Sequence, residues 1–298
     1  MASEASARTG GYRSVFRDRL FAGQVVMVTG GGSGIGRCTA HELAALGATV
    51  ALIGRKPDRL EAVAKEIAED GGRAAAYPCD IREEDKVAAT VAAVLAAHGR
   101  IDGLVNNAGG QFAAQLADIS QKGWETVVRT NLTGGFLMAR ECYTQWMRGH
   151  GGSIVNIVAD MWLGMPMMGH SGAARAGMVN FTETAAIEWS PSNVRVNAVA
   201  PGWIASSGMD QYPPEMAARI RKLKDLCPLG RMGSESEVSA AIVFLLSEGA
   251  AFVSGSTLRV DGAVPNTKIS RPLPPNETPA EGFNGFHRAV VPKVLREE

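Results

Sequence analysis

The stretch Thr29-Gly30-Gly31-Gly32-Ser33-Gly34-Ile35-Gly36 narrows what this chain can fold into more than any other. It directly follows a short apolar run, Val25-Val-Met-Val-Thr29, and opens a helical run from Ile35 to Leu46. Glycine lacks a Cβ, so it turns through positive φ at no steric cost and lets a ligand approach the backbone. The helix that follows offers unpaired N–H groups and the positive end of its dipole. Strand, glycine turn and helix N-terminus, in that order, make a seat for a dinucleotide pyrophosphate; a glycine cluster without that context would be only a turn. Thr29, Gly30, Gly32, Ser33, Gly34, Ile35 and Gly36 are therefore the predicted cofactor cradle.

The same alternation continues along the chain. Apolar strands are predicted at Val25–Thr29, Thr49–Ile53, Ala74–Pro78, Gly103–Asn106, Ser153–Val158, Val194–Ala200 and Thr257–Val260. Helical segments separate them, notably Pro57–Asp70, Glu83–His98, Gly123–Arg148, Gly172–Trp189 and Glu235–Leu246. Continuous Val, Ile and Ala runs between helices mean a parallel sheet covered on both faces. The expected fold is a doubly wound, Rossmann-type α/β domain over residues 23–263, with seven parallel strands. Residues 1–22 precede it as an arm. Residues 264–298 carry Pro265, Pro272, Pro274, Pro275 and Pro279, which exclude a regular helix or central strand. Phe283, Phe286 and Val290–Val291 give that tail apolar anchors, so it is expected to pack on its own or a neighbouring subunit.

Composition excludes several partners. Hydrophobic residues are 46% and charged residues 20%, enough for an ordinary globular core. Basic and acidic residues number 30 each, so no net charge favours nucleic acid or an anionic membrane. No apolar run approaches the roughly 18 residues of a membrane span. Met1–Leu20 lacks the apolar core of a secretory signal. Cys38, Cys79, Cys142 and Cys227 have no metal-type spacing and read as reduced, mostly buried thiols of a cytoplasmic protein.

The end of the second strand selects the coenzyme. An acid there would accept hydrogen bonds from the ribose hydroxyls of NAD. This strand ends Ile53-Gly54-Arg55-Lys56, with two cations where the acid would stand. Arg55 can fork onto a 2′-phosphate and Lys56 can add a point charge, which favours NADP(H). Exposed charges at a helix entry would look the same.

With Thr29–Gly36 and the later Asn106-Asn107-Ala108-Gly109 in view, the chain resembles the short-chain dehydrogenase/reductase superfamily from about Phe21 to Gly262. The resemblance implies that Asp80, with Ile81 beside it, meets the adenine, and that Asn106, Ala108 and Gly109 border the cofactor. It implies that Asn131 organises a structural water, and that Pro201-Gly202 passes over the nicotinamide with Val199 close by. It also implies a homotetramer built on long helices. The superfamily expects a serine after the fifth strand and then Tyr-x-x-x-Lys at the start of the next helix. Here the strand runs Asn156-Ile157-Val158-Ala159-Asp160, and the helix opens His170-Ser171-Gly172-Ala173-Ala174-Arg175-Ala176-Gly177. Ser171 stands in place of the tyrosine and Arg175 in place of the lysine. Only four tyrosines exist, none near this segment in sequence. Asn106–Phe112, Gly151–Ile157 and His170–Gly177 are similar to the peroxisomal trans-2-enoyl-CoA reductases, more distantly to the 2,4-dienoyl-CoA reductases, and to a bacterial group linked to citronellol and citronellal oxidation. The C-terminus, Leu295-Arg-Glu-Glu298, is no peroxisomal address.

Chemistry separates the possible reactions. Carbonyl reduction makes an alkoxide and needs a proton donor tuned toward neutrality, which serine and arginine supply poorly. Reduction of an enoyl thioester needs only donors near an oxygen on which enolate charge collects, with water protonating C2. Ser171 is a candidate donor. Arg175, one helical turn on, is a candidate to hold the nicotinamide ribose. Asp160 and His170 flank the region as an acid or water-holding pair, or as a turn cap and a backbone-bonded ring. Met161, Trp162, Met165, Met167 and Met168 suit an acyl pocket or core packing. Arg219, Arg221, Lys222 and Lys224 suit coenzyme A phosphates or a solvated helix face. Three readings follow: an NADPH-dependent reductase of enoyl thioesters, a dehydrogenase of alcohols or aldehydes with a different proton donor, and a nucleotide-binding protein without catalysis.

Overall fold

Val25, Val26, Met27 and Val28 are all buried in strand β1 (Val25–Thr29), as expected of a strand covered on both faces. A computed structural model describes residues 11–212, 214–264 and 276–296. Beyond β1 the strands are β2 (Thr49–Gly54), β3 (Arg73–Pro78), β4 (Gly103–Asn106), β5 (Gly152–Ile157), β6 (Val194–Pro201), the short pair β7 (Ile204–Ala205) and β8 (Gly233–Ser234), and β9 (Thr257–Val260). Seven of them form one parallel sheet, the seven-stranded sheet that the sequence predicted, in the order β3-β2-β1-β4-β5-β6-β9.

The period-two alternation of each strand divides the core between two faces. Val26, Val28, Val50 and Leu52 meet α1 (Gly34–Ala45), α2 (Pro57–Glu69) and α9 (Glu235–Leu246) through Leu43, Val63 and Ile242. Val25, Met27, Ala51 and Ile53 meet the opposite layer through Val91 of α3 (Glu84–His98), Met138 of α5 (Gly134–Cys142) and Ala185 of α7 (Gly169–Glu188). All four cysteines are buried thiols.

Two expectations need correction at the level of elements. The helix predicted as continuous over Gly123–Arg148 is α4 (Gln121–Val128), a π turn at Arg129–Thr133, α5, a second π turn at Tyr143–Met147, and α6 (Arg148–His150). Helix α7 begins at Gly169, so His170 and Ser171 lie within its first turn.

Pro265, Pro272, Pro274 and Pro275 lie outside the described residues, but the tail from residue 276 docks on its own chain. Phe286 is 2% exposed; it stacks on Tyr12 of the N-terminal arm and lies under the Arg37 guanidinium. The Arg13 N–H donates to Gly285 O, and Arg288 holds Asp70 and Glu69. Val290 and Val291 are 59% and 60% exposed, so they do not anchor the tail; the polar contacts of Arg288 do that work instead. Helix α8 (Ala217–Arg221) sits in the segment between β7 and β8, and its Arg221 donates to Val294 O of the tail.

Candidate active site

Strand order reverses between β1 and β4, and ligands of open α/β sheets bind beyond the carboxyl ends of strands at such a point. Gly30 and Gly34 take φ of 67° and 58° there, and Ser33 is an extended N-cap whose side chain caps nothing, leaving the first N–H groups of α1 open. A Cβ on Gly36 would stand 2.4 Å from Asn107 Nδ2 and 2.5 Å from Gly30 O, and one on Gly32 3.1 Å from Arg59 Cβ. Ile35 packs its side chain on the core beneath the loop. Thr29 Oγ1 accepts the N–H groups of Asn107 and Ala108 at 2.9 Å, while Asn107 Nδ2 donates to Thr29 O at 3.0 Å. Asn107 thus ties the glycine loop to the end of β4, a shaping role that its place beside Asn106 signals only once the two strands are known to pair.

The residues expected around the adenosine half lie along the same edge. Arg55 and Lys56 are exposed after β2, with Lys56 at the N-cap of α2. Asp80 receives Arg82 Nε at 2.9 Å and Nη2 at 2.5 Å, and these bonds hold its carboxyl down at about 2. Ile81 is buried, with its side chain and carbonyl oxygen both against Gly134.

At the end of β4, Asn106 Nδ2 donates to Gly135 O and to Asn156 Oδ1, each at 2.9 Å; Asn156 then donates to Thr182 Oγ1. Asn131 sits in the first π turn and exchanges two 2.9 Å hydrogen bonds with the backbone of Gly110. Its carboxamide braces the loop after β4. Pro201 ends β6, and Gly202 passes so close to Asp261 that a Cβ would lie 2.7 Å from its Cα.

Arg175 is the most telling residue. Its guanidinium lies over Gly109, Nη1 donates to Ile157 O at 2.5 Å, and Nε has no partner among the described residues. Burial brings its pKa down to about 10, so it is still a cation at neutral pH, without a carboxylate beside it. A buried charge with an unfilled donor fits the hydroxyl oxygens of a bound ribose. Together with the glycine cradle, the donor set fits a nicotinamide dinucleotide.

The remaining predicted residues divide into two groups. Ser171 is fully buried and its Oγ donates to Gln111 Oε1 at 2.8 Å. His170 Nδ1 accepts the Ser171 N–H at 2.9 Å, so a neutral ring carries its proton on Nε2, which is buried without a partner among the described residues. Its ring stands edge-on to Phe112 at 4.4 Å. The Asp160 N–H donates to Pro201 O, and burial and the nearby Asp261 push its carboxyl up, against the pull of Arg259. Of the exposed apolar side chains, Phe112 lies against His170, Leu116 over Gly169 and Trp162 under the Arg259 guanidinium, while Leu163 points to solvent; Met161, Met165, Met167 and Met168 are half-buried. Of the basic run, Arg221 is taken by the tail, and Arg219 and Lys222 lie beside Asp225.

Sequence reasoning missed Gln111, Tyr212 and Glu235. Gln111 Nε2 donates to Tyr212 Oη at 2.9 Å, and Glu235 at the start of α9 places Oε1 3.8 Å from where a Gly34 Cβ would be. Gln111 follows the Asn106–Gly109 motif directly and was open to notice; the other two are brought in from distant segments.

Residues 30–264 match the family described as Enoyl-(Acyl carrier protein) reductase. The peroxisomal 2,4-dienoyl-CoA reductase of Danio rerio is 35% identical over 259 residues, 84% of either chain. The 2,5-dichloro-2,5-cyclohexadiene-1,4-diol dehydrogenase of Sphingobium indicum is 38% identical over 244 residues, 81% of this chain and 96% of that one. A solved structure titled citronellol catabolism dehydrogenase, from Pseudomonas aeruginosa PAO1, is 62% identical with a TM-score of 0.77, covering 85% of this chain and 99% of that one. The chain belongs to the short-chain dehydrogenase/reductase family, oxidoreductases that work with a nicotinamide coenzyme.

Proposed function

We propose that the protein is an NADPH-dependent reductase of the C=C bond of 2-enoyl thioesters, with acyl-CoA as the carrier. The observation that carries this reading is the start of α7: Ser171 lies in its first turn and Arg175 in its second, and the serine proton is already given to Gln111. Such a pair is poorly suited to protonate an alkoxide, but an enolate oxygen asks only for hydrogen-bond donors. A bound nicotinamide would supply hydride to C3 of the substrate; the C2=C3 pair would become the C1=C2 bond of an enolate as the carbonyl pair shifts onto the thioester oxygen, and water would return a proton to C2. Ser171 fixes the Gln111 carboxamide beside that oxygen. Arg175 holds the ribose. The exposed Phe112 and Leu116, beside His170 and Gly169, suit an acyl chain. Arg55 and Lys56 select the 2′-phosphate. The relative named as a dienoyl-CoA reductase supports the substrate class.

The test is NADPH oxidation with a series of trans-2-enoyl-CoAs. Label from deuterated NADPH is expected at C3 of the product and label from deuterated water at C2. NADPH should bind at least tenfold tighter than NADH, since a charge-assisted phosphate contact is worth about 1.5–3 kcal/mol. Arg55→Ala should shrink that preference. Equal affinities in calorimetry would remove the coenzyme assignment. A second reading is favoured by the 62% identical structure, whose title names a citronellol catabolism dehydrogenase. An enzyme that leaves every enoyl-CoA untouched and oxidises citronellol-like alcohols would replace the first reading with this one.

A further inference from the structure

Tyr212 lies outside α7, in the run of short turns between β7 and α8, yet two hydrogen bonds join its hydroxyl to Ser171. The direction of each bond follows from the carboxamide between them. Gln111 accepts the Ser171 proton at Oε1 and donates its own from Nε2 to the Tyr212 oxygen. Ser171 has then spent its only hydrogen. Tyr212 has not. Its O–H is directed at the Met168 thioether sulfur, 4.0 Å away, a weak acceptor that a carbonyl or anionic oxygen would displace.

We propose that Tyr212 is the catalytic hydroxyl of this site, donating to the substrate oxygen on which charge collects and carried by the segment over the crevice instead of by α7. The proposal rests on the reading of this crevice as a hydride-transfer centre and is independent of which bond is reduced, because a thioester enolate and an alkoxide both need such a donor. Gln111 becomes a positioning residue: Ser171 fixes one end of its carboxamide, and its loop is braced by the Asn131–Gly110 pair. The described residues 207–212 and 214–226 form single turns around one five-residue helix, the kind of structure that opens at low cost. It can admit a substrate and then bring the phenol down onto it. The phenol that the helix sequence lacks would thus return from a different element, at the moment of closure.

Tyr212→Phe keeps the ring and removes only the donor. With whichever substrate the unmutated enzyme turns over, enoyl-CoA or citronellol-like alcohol, it is expected to lower kcat about 10²-fold and to leave the KM for NADP(H) unchanged. Gln111→Leu should lower kcat similarly, and the double variant should be no slower than the worse single one, because the two act as a unit. Ser171→Ala should cost less than Tyr212→Phe. A readout without turnover is trypsin cleavage at Arg219, Arg221, Lys222 and Lys224, expected to be faster in both single variants as the segment opens. Tyr212→Phe with unchanged kcat, or with unchanged tryptic cleavage, would overturn the proposal. If alcohols are oxidised and enoyl-CoAs are not, the thioester reading falls while the Tyr212 comparison is still made, on the alcohol.

Discussion

Arg175 and Glu235 show what single side chains contribute when burial works against their charge. Arg175 is a buried cation with one carbonyl partner and an unfilled Nε, so the coenzyme-free protein bears a desolvation cost that a ribose would offset. Arg175→Met should therefore raise the melting temperature of the coenzyme-free protein and weaken NADPH binding in calorimetry; a lower melting temperature would count against a ligand-facing role. Glu235 is pushed by burial from 4.5 up to about 7, against the pull of Arg37 and the Ser207 N–H. The folded state then holds a proton that the unfolded state releases, so this group's contribution is full below about 4.5 and lost as pH rises through about 7. Glu235→Gln should flatten that part of the stability–pH curve. It should also abolish a weakening of coenzyme affinity across neutrality, because the ionised carboxylate would stand beside the phosphate cradle proposed at Gly34. At this scale the glycine loop, Arg55-Lys56 and the Ser171/Arg175 exchange were legible because each lies within a few residues of sequence. Tyr212 and Glu235 were not, since 101 residues separate Tyr212 from Gln111 and a still longer stretch separates Glu235 from Gly34, and no local pattern marks a contact made only by folding.

Elements were read well where hydrophobic period alone decides. All seven strands of the sheet were legible, and their neighbours follow from the doubly wound pattern. The two π turns were not, because an extra residue in a helical turn shifts backbone pairing without changing which side chains are apolar. The first of them matters to the site: it includes Asn131, whose carboxamide meets both backbone groups of Gly110. Asn131→Ala would leave that pair unmet, at a cost of about 1–3 kcal/mol for each group that stays buried. The expected outcome is a lower melting temperature together with a lower kcat, as the Gly110–Gln111 loop loosens. A variant that loses stability but keeps kcat would mean that the brace serves the fold alone.

At the scale of the whole molecule, the tail joins parts that are distant in sequence. Phe286→Ala should destabilise the protein by about 3–5 kcal/mol, because the ring is fully packed against Tyr12, His41 and Arg37. An unchanged thermal transition would mean that the tail is not docked in solution. Its docking was only half legible: Phe286 was an evident anchor, while the exposed Val290 and Val291 were not to be told from it by hydropathy. The assembly expected from the resemblance is a homotetramer, to which the exposed Trp124, Phe136, Ile187, Phe244 and Phe252 would contribute buried surface. Light scattering should find four copies at micromolar concentration, and a monomer would refute this. The tail has one more consequence, for reach. Arg288 is fixed to Asp70 at the end of α2, and the Val294 N–H to Asp210 in the segment that carries Tyr212. Between those two anchors the chain can extend by only roughly 20 Å when fully drawn out. It is a tether of set length, so the covering segment swings within that radius, and a ligand too bulky for it enters only after one of the two anchors lets go.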